Sequence, residues 1–124
     1  LGLPQHCGLR ENVPDFRKTV RSMRLHPALE FLYWHMNWHT EHHMYAGVPC
    51  YNLKQLHQAV KDDMPQPRSL TGAWREMLEI WERQKHEPSY QFDTPLPATA
   101  QTQRTRAAVA EEASIGDLAP EGLR

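Results

Sequence analysis

Between residues 27 and 38 the chain carries apolar side chains at most positions, among them Leu29, Phe31, Leu32, Tyr33, Trp34, Met36 and Trp38. Pro27 suits the first turn of a helix, where its missing N–H is not needed, and Gly47 and Pro49 mark an end, so a helix is expected over 27–45. Apolar around most of its circumference, such a helix is either buried or set at a membrane interface, where tyrosine and tryptophan are favoured. AGVPCYN reads as a turn. Asn52 then offers an N-cap with Gln55 at capping-box spacing, and Leu53, Leu56, Val60 and Met64 form the stripe of a second helix that ends before Pro65 and Pro67. Ser69 caps a third helix, on which Leu70, Trp74, Met77, Leu78 and Trp81 recur at helical spacing while Arg75, Glu76, Glu79, Glu82 and Arg83 turn outward. This Met and Trp stripe reads as a packing face over the histidine region or against a membrane surface.

The two ends break the pattern. Gly2, Pro4, Gly8 and Pro14 are spaced so as to leave the opening segment irregular. After Glu87 the composition shifts to proline, alanine, threonine and charge with little to bury, so 88–124 is expected to be a disordered tail with at most a nascent helix at 107–113. The expected fold is mostly α, with a helical body over 1–87, and no internal repeat is visible.

With 124 residues the chain can form at most one modest domain. A net charge of −1 gives no sign of a nucleic-acid partner. Cys7 and Cys50 are too few for a disulfide scaffold and lack CxxC spacing, which suggests free thiols in a reducing compartment. The longest uninterrupted apolar run is FLYW, far short of a spanning helix, so the chain taken alone is not expected to cross a membrane. Arg17, Lys18, Arg21 and Arg24 form a basic stretch that would suit anionic headgroups or simply a solvated face. Arg10, Arg21 and Arg24 could also meet the phosphates of an acyl carrier, although their spacing carries no specific signal.

Histidine is the unusual residue: there are eight, five of them from His26 to His43. His39, His42 and His43 stand in the order HxxHH, and on a continuous helix they fall within roughly a 100° arc that also includes His35. Crowding titratable rings in this way is unfavourable unless something binds them, and neutral imidazoles suit iron, zinc, copper or nickel. Glu41 follows Thr40 and directly precedes His42, so neither H-E-x-x-H nor H-x-x-E-H is present and zinc-protease frames are excluded. Glu30 and Glu41 also lack the Glu-x-x-His pairing of soluble di-iron bundles. Glu41 reads instead as an acceptor behind the metal ligands or as a solvated residue, with Asn37 and His35 as further partners for ligand imidazoles. His57 reads as a histidine packing back on the metal helix.

The run NWHTEHHMYAGVPCYNLKQLH resembles the third histidine box and following segment of the membrane fatty acid desaturase family. It matches at Asn37, Trp38, His39, Glu41, His42, His43, Met44, Val48, Pro49, Leu53, Leu56 and His57. The resemblance extends less sharply from the start of the chain to about Trp81. It implies a non-haem di-iron centre with His39, His42 and His43 as ligands, and His6, in the QH pair just after the family's last membrane helix, as the ligand outside the boxes. It implies an oxygen-dependent desaturase that forms a double bond in an acyl-lipid or other fatty acyl substrate, with electrons from a ferredoxin or a b-type cytochrome. In the family the membrane helices and first two boxes precede this region. The chain, which starts at Leu1 without an initiator methionine, is therefore expected to be the cytoplasmic C-terminal part of a membrane enzyme and inactive by itself.

Three other readings compete. A hydroxylase, ketolase or other oxygenase of the same superfamily would use a similar ligand set. A non-catalytic zinc module would join His39, His42 or His43 to Cys7 or Cys50 in a tetrahedral site, although the spacing matches no zinc-finger pattern. A plain helical partner-binding fragment would leave the histidine clustering unexplained.

Overall fold

A computed structural model describes residues 1–100. The helix expected at 107–113 and the rest of the tail beyond residue 100 lie outside the described residues. The fold is mostly α: α1 (Leu3–His6), α2 (Phe16–Thr19), α3 (Pro27–Leu32), α4 (His39–Met44), α5 (Leu53–Val60) and α6 (Leu70–Gln84), with two short strands, β1 (Met23–Arg24) and β2 (Arg68–Ser69). The strands pair in parallel, Met23 opposite Arg68 and Arg24 opposite Ser69, which fixes the start of α6 beside the segment leading into α3.

The helix expected over 27–45 is broken in two. It starts as the sequence indicates, at Pro27, with the His26 side chain accepting from the Ala28 N–H. It ends at Leu32, and Trp34 and His35 follow with φ of 55° and 56°. Left-handed backbone costs roughly 1–2 kcal/mol at each non-glycine residue, so packing must offset it. The His35 N–H closes back on the Glu30 carbonyl at 2.9 Å, and the chain then runs beside β1, where Asn37 exchanges bonds with Met23: Met23 N–H to the Asn37 carbonyl and Asn37 Nδ2 to the Met23 carbonyl, both 2.8 Å. Asn37 is fully buried there and Trp38 nearly so. The break also leaves Leu29, Phe31, Leu32 and Trp34 exposed; the last three line an apolar cavity of 370 Å³ with His35, Cys50 and Tyr51.

At α6, Ser69 Oγ accepts from the Gly72 N–H at 3.0 Å, as expected of the cap. The buried stripe is Ala73, Met77 and Ile80, whereas Trp74, Leu78 and Trp81 are exposed. Both stripes have helical period, so spacing alone does not choose between them. The choice is made by Glu76, which turns inward to bridge Arg21 Nε at 2.6 Å and Arg68 Nε at 2.8 Å. Before α5, the capping box expected at Asn52 and Gln55 does not form: the Asn52 side chain makes no cap bond, because Asn52 closes a 3-10 turn over Cys50–Asn52. Leu53 and His57 face inward from α5, and a second 3-10 turn, Lys61–Asp63, carries Met64 into the core.

Among the described residues, buried polar and charged side chains outnumber buried apolar ones. Two belong to the basic stretch: Arg17 is held by both carboxylate oxygens of Asp15 and donates to the Asp63 carbonyl, and Arg21 is equally buried. Neither guanidinium can therefore reach a headgroup or carrier phosphate, and Arg10 and Lys18 are both engaged by Asp93. The chain after Glu87 stays against the body as far as residue 100. Phe92 N–H bonds the Gly8 carbonyl at 2.8 Å, Thr94 is buried, and Thr99 Oγ1 donates to the Asp62 carbonyl at 2.6 Å.

Candidate metal centre

Residues one turn apart on α4 share a face, and His39 and His43 do so with their Nε2 atoms 3.2 Å apart. His6, the last residue of α1, brings its Nε2 within 2.8 Å of His39 Nε2. The three donor atoms all lie within 4.8 Å of one another. The His39 ring meets the rings of His6 and His43 edge to face, at 4.7 Å between centroids in each case. His42 flanks the trio, its ring 5.9 Å from His39 and 5.8 Å from His43, but is not part of the convergent group. His35 leaves the arc expected of a continuous helix, because the left-handed turn rotates it toward Glu30, whose Oε1 lies 3.5 Å from its Nδ1.

His6 is fixed from behind by residues that carry no metal chemistry. Arg21 Nη1 donates to the Pro4 carbonyl at 2.7 Å and the Cys7 carbonyl at 2.9 Å, bracketing α1. Gln5, fully buried, donates to the Met36 carbonyl at 2.8 Å and accepts from Tyr33 Oη at 2.9 Å, while its own carbonyl takes the Arg21 N–H. The turn after His6 needs glycine: Gly8 has φ +74°, and a Cβ there would stand 2.5 Å from Ile80 Cγ2 on α6. Arg21 and Gln5 were not legible as site-building residues; the only hint was that Gln5 belongs to the QH pair.

The back of α4 is anchored as firmly. Glu41, fully buried, accepts from Ser22 Oγ and pairs with His57 Nδ1, each at 2.5 Å, and Ser22 Oγ also receives the Thr40 N–H at 3.0 Å. Of the two readings of Glu41, the solvated one is excluded. The His57 ring stacks on Trp38 at 4.2 Å. Trp38 Nε1 donates to Glu30 Oε1 at 2.5 Å, and Lys54 holds the other Glu30 oxygen at 3.1 Å.

Burial and mutual repulsion set the charge state of the cluster. Desolvation, followed by the neighbouring His6, His43 and His42, pushes His39 down to about 4. Its buried Nδ1 has no full hydrogen-bond partner, and a weak interaction with the Met36 backbone opposes the shift without reversing it. His6 and His43 are lowered too, in each case chiefly by desolvation. The rings are thus neutral near pH 7, the state a metal ligand requires. Nitrogens at about 2.0–2.1 Å from a shared ion sit about 2.9 Å apart in octahedral and about 3.3 Å apart in tetrahedral geometry, so the observed 2.8 and 3.2 Å separations suit a common ion. No cysteine joins a metal-competent group among the described residues. The donor set is therefore all imidazole, unlike the mixed Cys–His site of a zinc module.

No helix among the described residues is long and apolar enough to cross a membrane. No curated protein and no solved structure is significantly similar to the chain. Residues 1–73 match the sequence model of the family described as Fatty acid desaturase, a span that holds His6, the HxxHH box, Glu41 and His57. That family comprises membrane-associated enzymes, generally with di-iron centres, which perform desaturation or related oxygenase chemistry. With more than half its length inside the match, and with three histidines of that length converging on one point, the chain belongs to the fatty acid desaturase family.

Proposed function

We propose that the chain serves an oxygen-dependent desaturase acting on fatty acyl groups, with His6, His39 and His43 holding one iron of a dinuclear pair and His42 facing the other. The observation that carries this reading is the convergence of three neutral imidazoles from α1 and α4, each offering a ring nitrogen within 4.8 Å of the others. When bound, iron supplies the one-electron and oxygen chemistry needed to break an unactivated C–H bond, which side chains alone cannot do. A dinuclear centre needs more donors than this cluster supplies, so the reading requires further ligands to join it. The chain's own contribution is to present deprotonated rings at fixed separation. Arg21 and Gln5 hold His6 from one side, and the α4 anchors hold His39 and His43 from the other.

The exposed Phe31, Leu32, Trp34 and Tyr51 fit contact with a bilayer interface or with apolar parts of the same enzyme. Electrons would come from a ferredoxin or a b-type cytochrome, and this region would lie on the cytoplasmic face. Metal analysis of the protein extracted from membranes, beside a variant with His39, His42 and His43 changed to alanine, tests the reading. About two irons per chain are expected, lost in the variant together with oxygen-dependent desaturation of acyl chains. A single zinc and no oxygen consumption would overturn it. Hydroxylated in place of unsaturated products would move it to a sister oxygenase.

A further inference from the structure

Helix α4 has only six residues, too few to hold its own orientation, yet three of them are the imidazoles of the box. We propose that Glu41, clamped by His57 and Ser22, is the positioning residue that sets the rotation of this ligand helix. The proposal rests on reading the cluster as a metal centre. At about 100° per residue Glu41 lies roughly 200° from His39 and 160° from His43, on the back of the helix. It is fully buried, and both oxygens are used, Oε1 by His57 Nδ1 and Oε2 by Ser22 Oγ. These partners come from separate segments, Ser22 from the strand side and His57 from α5. Ser22 adds a third point by taking the Thr40 N–H at 3.0 Å.

The geometry makes the clamp a lever. Side chains reach about 5–6 Å from a helix axis, so turning α4 by about 20° moves the carboxylate by about 2 Å and the imidazole nitrogens by a similar distance. The first displacement breaks both carboxylate hydrogen bonds, and the second removes the His6–His39 contact of 2.8 Å. His57 is in turn pinned against Trp38, whose indole is tied through Glu30 to Lys54 on the same helix as His57. The ligand face is thereby fixed by groups that never touch the ion.

His57→Asn and His57→Gln separate positioning from packing. The asparagine amide nitrogen falls near the place of Nδ1 and can still donate to Glu41, whereas the longer glutamine fills more of the volume but places its amide near Nε2. The readouts are the imidazole nitrogen–proton spectrum of the metal-free chain, which reports the His6–His39 contact, cobalt(II) affinity followed by visible absorption, and the thermal unfolding midpoint. Expected are an intact contact and near wild-type affinity in His57→Asn, and in His57→Gln a lost contact with cobalt binding weakened about tenfold or more. An intact contact in His57→Gln, or equal weakening of both variants in step with their unfolding midpoints, overturns the proposal. If the wild-type chain shows the contact but takes no cobalt, the metal reading fails, and the positioning role is decided by the imidazole spectra alone.

Discussion

The Nε2 atoms of His6 and His39, separated by 33 positions in the sequence, lie 2.8 Å apart. Two ring nitrogens at that distance share one proton at most, so the pair is stable only if at least one ring is a neutral acceptor. The low pKa of His39, about 4, meets that condition over the whole neutral range. The same contact joins α1 to α4, so the candidate site is also a tertiary joint between the first helix and the histidine box.

Single alanine substitutions should rank the histidines by this geometry. Replacing His6, His39 or His43 removes a convergent donor, and the loss of cobalt(II) affinity should exceed the 10–100-fold typical of outer-sphere partners. His42→Ala should affect the first ion bound far less, because its ring stands 5.8–5.9 Å from its neighbours. Isothermal titration of each variant with cobalt checks the order. Equal losses at all four positions would place His42 inside the first site.

Stability should fall in mild acid through these same rings. His39 is lowered from 6.5 to about 4 in the folded chain, so the unfolded chain binds more protons between those values. The contribution is intact above about pH 6.5 and is lost progressively as pH falls toward 4, with His6 and His43 shifting in the same direction. His39→Gln should flatten the fall in unfolding midpoint across this window relative to the wild-type chain. A curve of unchanged slope would show that burial of His39 does not carry the effect.

What the sequence made legible follows from the signals it uses. The start at Pro27, the Ser69 cap and the α5 and α6 positions are local signals, and they appear where the residues indicate. The HxxHH box, read as a metal face, does present His39 and His43 together. The break after Leu32 was not legible, because Trp34 and His35 adopt left-handed backbone with no glycine or proline to announce it. That conformation is bought by tertiary bonds of Asn37 and Trp38, which periodicity cannot register. The buried roles of Arg17, Arg21 and Glu76 were hidden for a similar reason: a charge reads as solvated until its partner is known.

Arg21 should matter to the site without touching it. Its side chain is 2% exposed, and the guanidinium pairs with Glu76 and holds the Pro4 and Cys7 carbonyls around His6. Arg21→Met keeps much of the apolar stem but leaves those carbonyls unpaired and Glu76 with Arg68 alone, so a loss of about 3 kcal/mol is expected. Arg21→Lys should recover little, since one ammonium cannot reproduce the fork that reaches three acceptors. Chemical denaturation gives the stability change, and the His6 imidazole resonance shows whether α1 has come loose. Arg21→Met at wild-type stability would mean that the bracket is dispensable.

Gly8 gives the sharpest steric test. Its φ of +74° is strained for any residue with a Cβ, and that Cβ would stand 2.5 Å from Ile80 Cγ2 and 3.2 Å from both Ile80 Cβ and Cδ1. Gly8→Ala therefore combines left-handed strain of roughly 1–2 kcal/mol with an overpacking term of similar size. Ile80→Ala removes the clashing Cγ2 and Cδ1 but, as a buried large-to-small change, is itself destabilising. The two costs should not add. In the double variant the 2.5 Å clash is gone and the φ strain, the Ile80 cavity and a tight 3.2 Å approach to the retained Cβ of residue 80 remain, so a coupling of about 1 kcal/mol in favour of the pair is expected from a double-mutant cycle. Because His6 lies two residues before Gly8, Gly8→Ala should also weaken cobalt binding, and Ile80→Ala should restore part of that affinity along with the stability. Simple additivity in the cycle would mean that α1 moves away from α6 to accept the methyl group, in which case the affinity should stay low in the double variant.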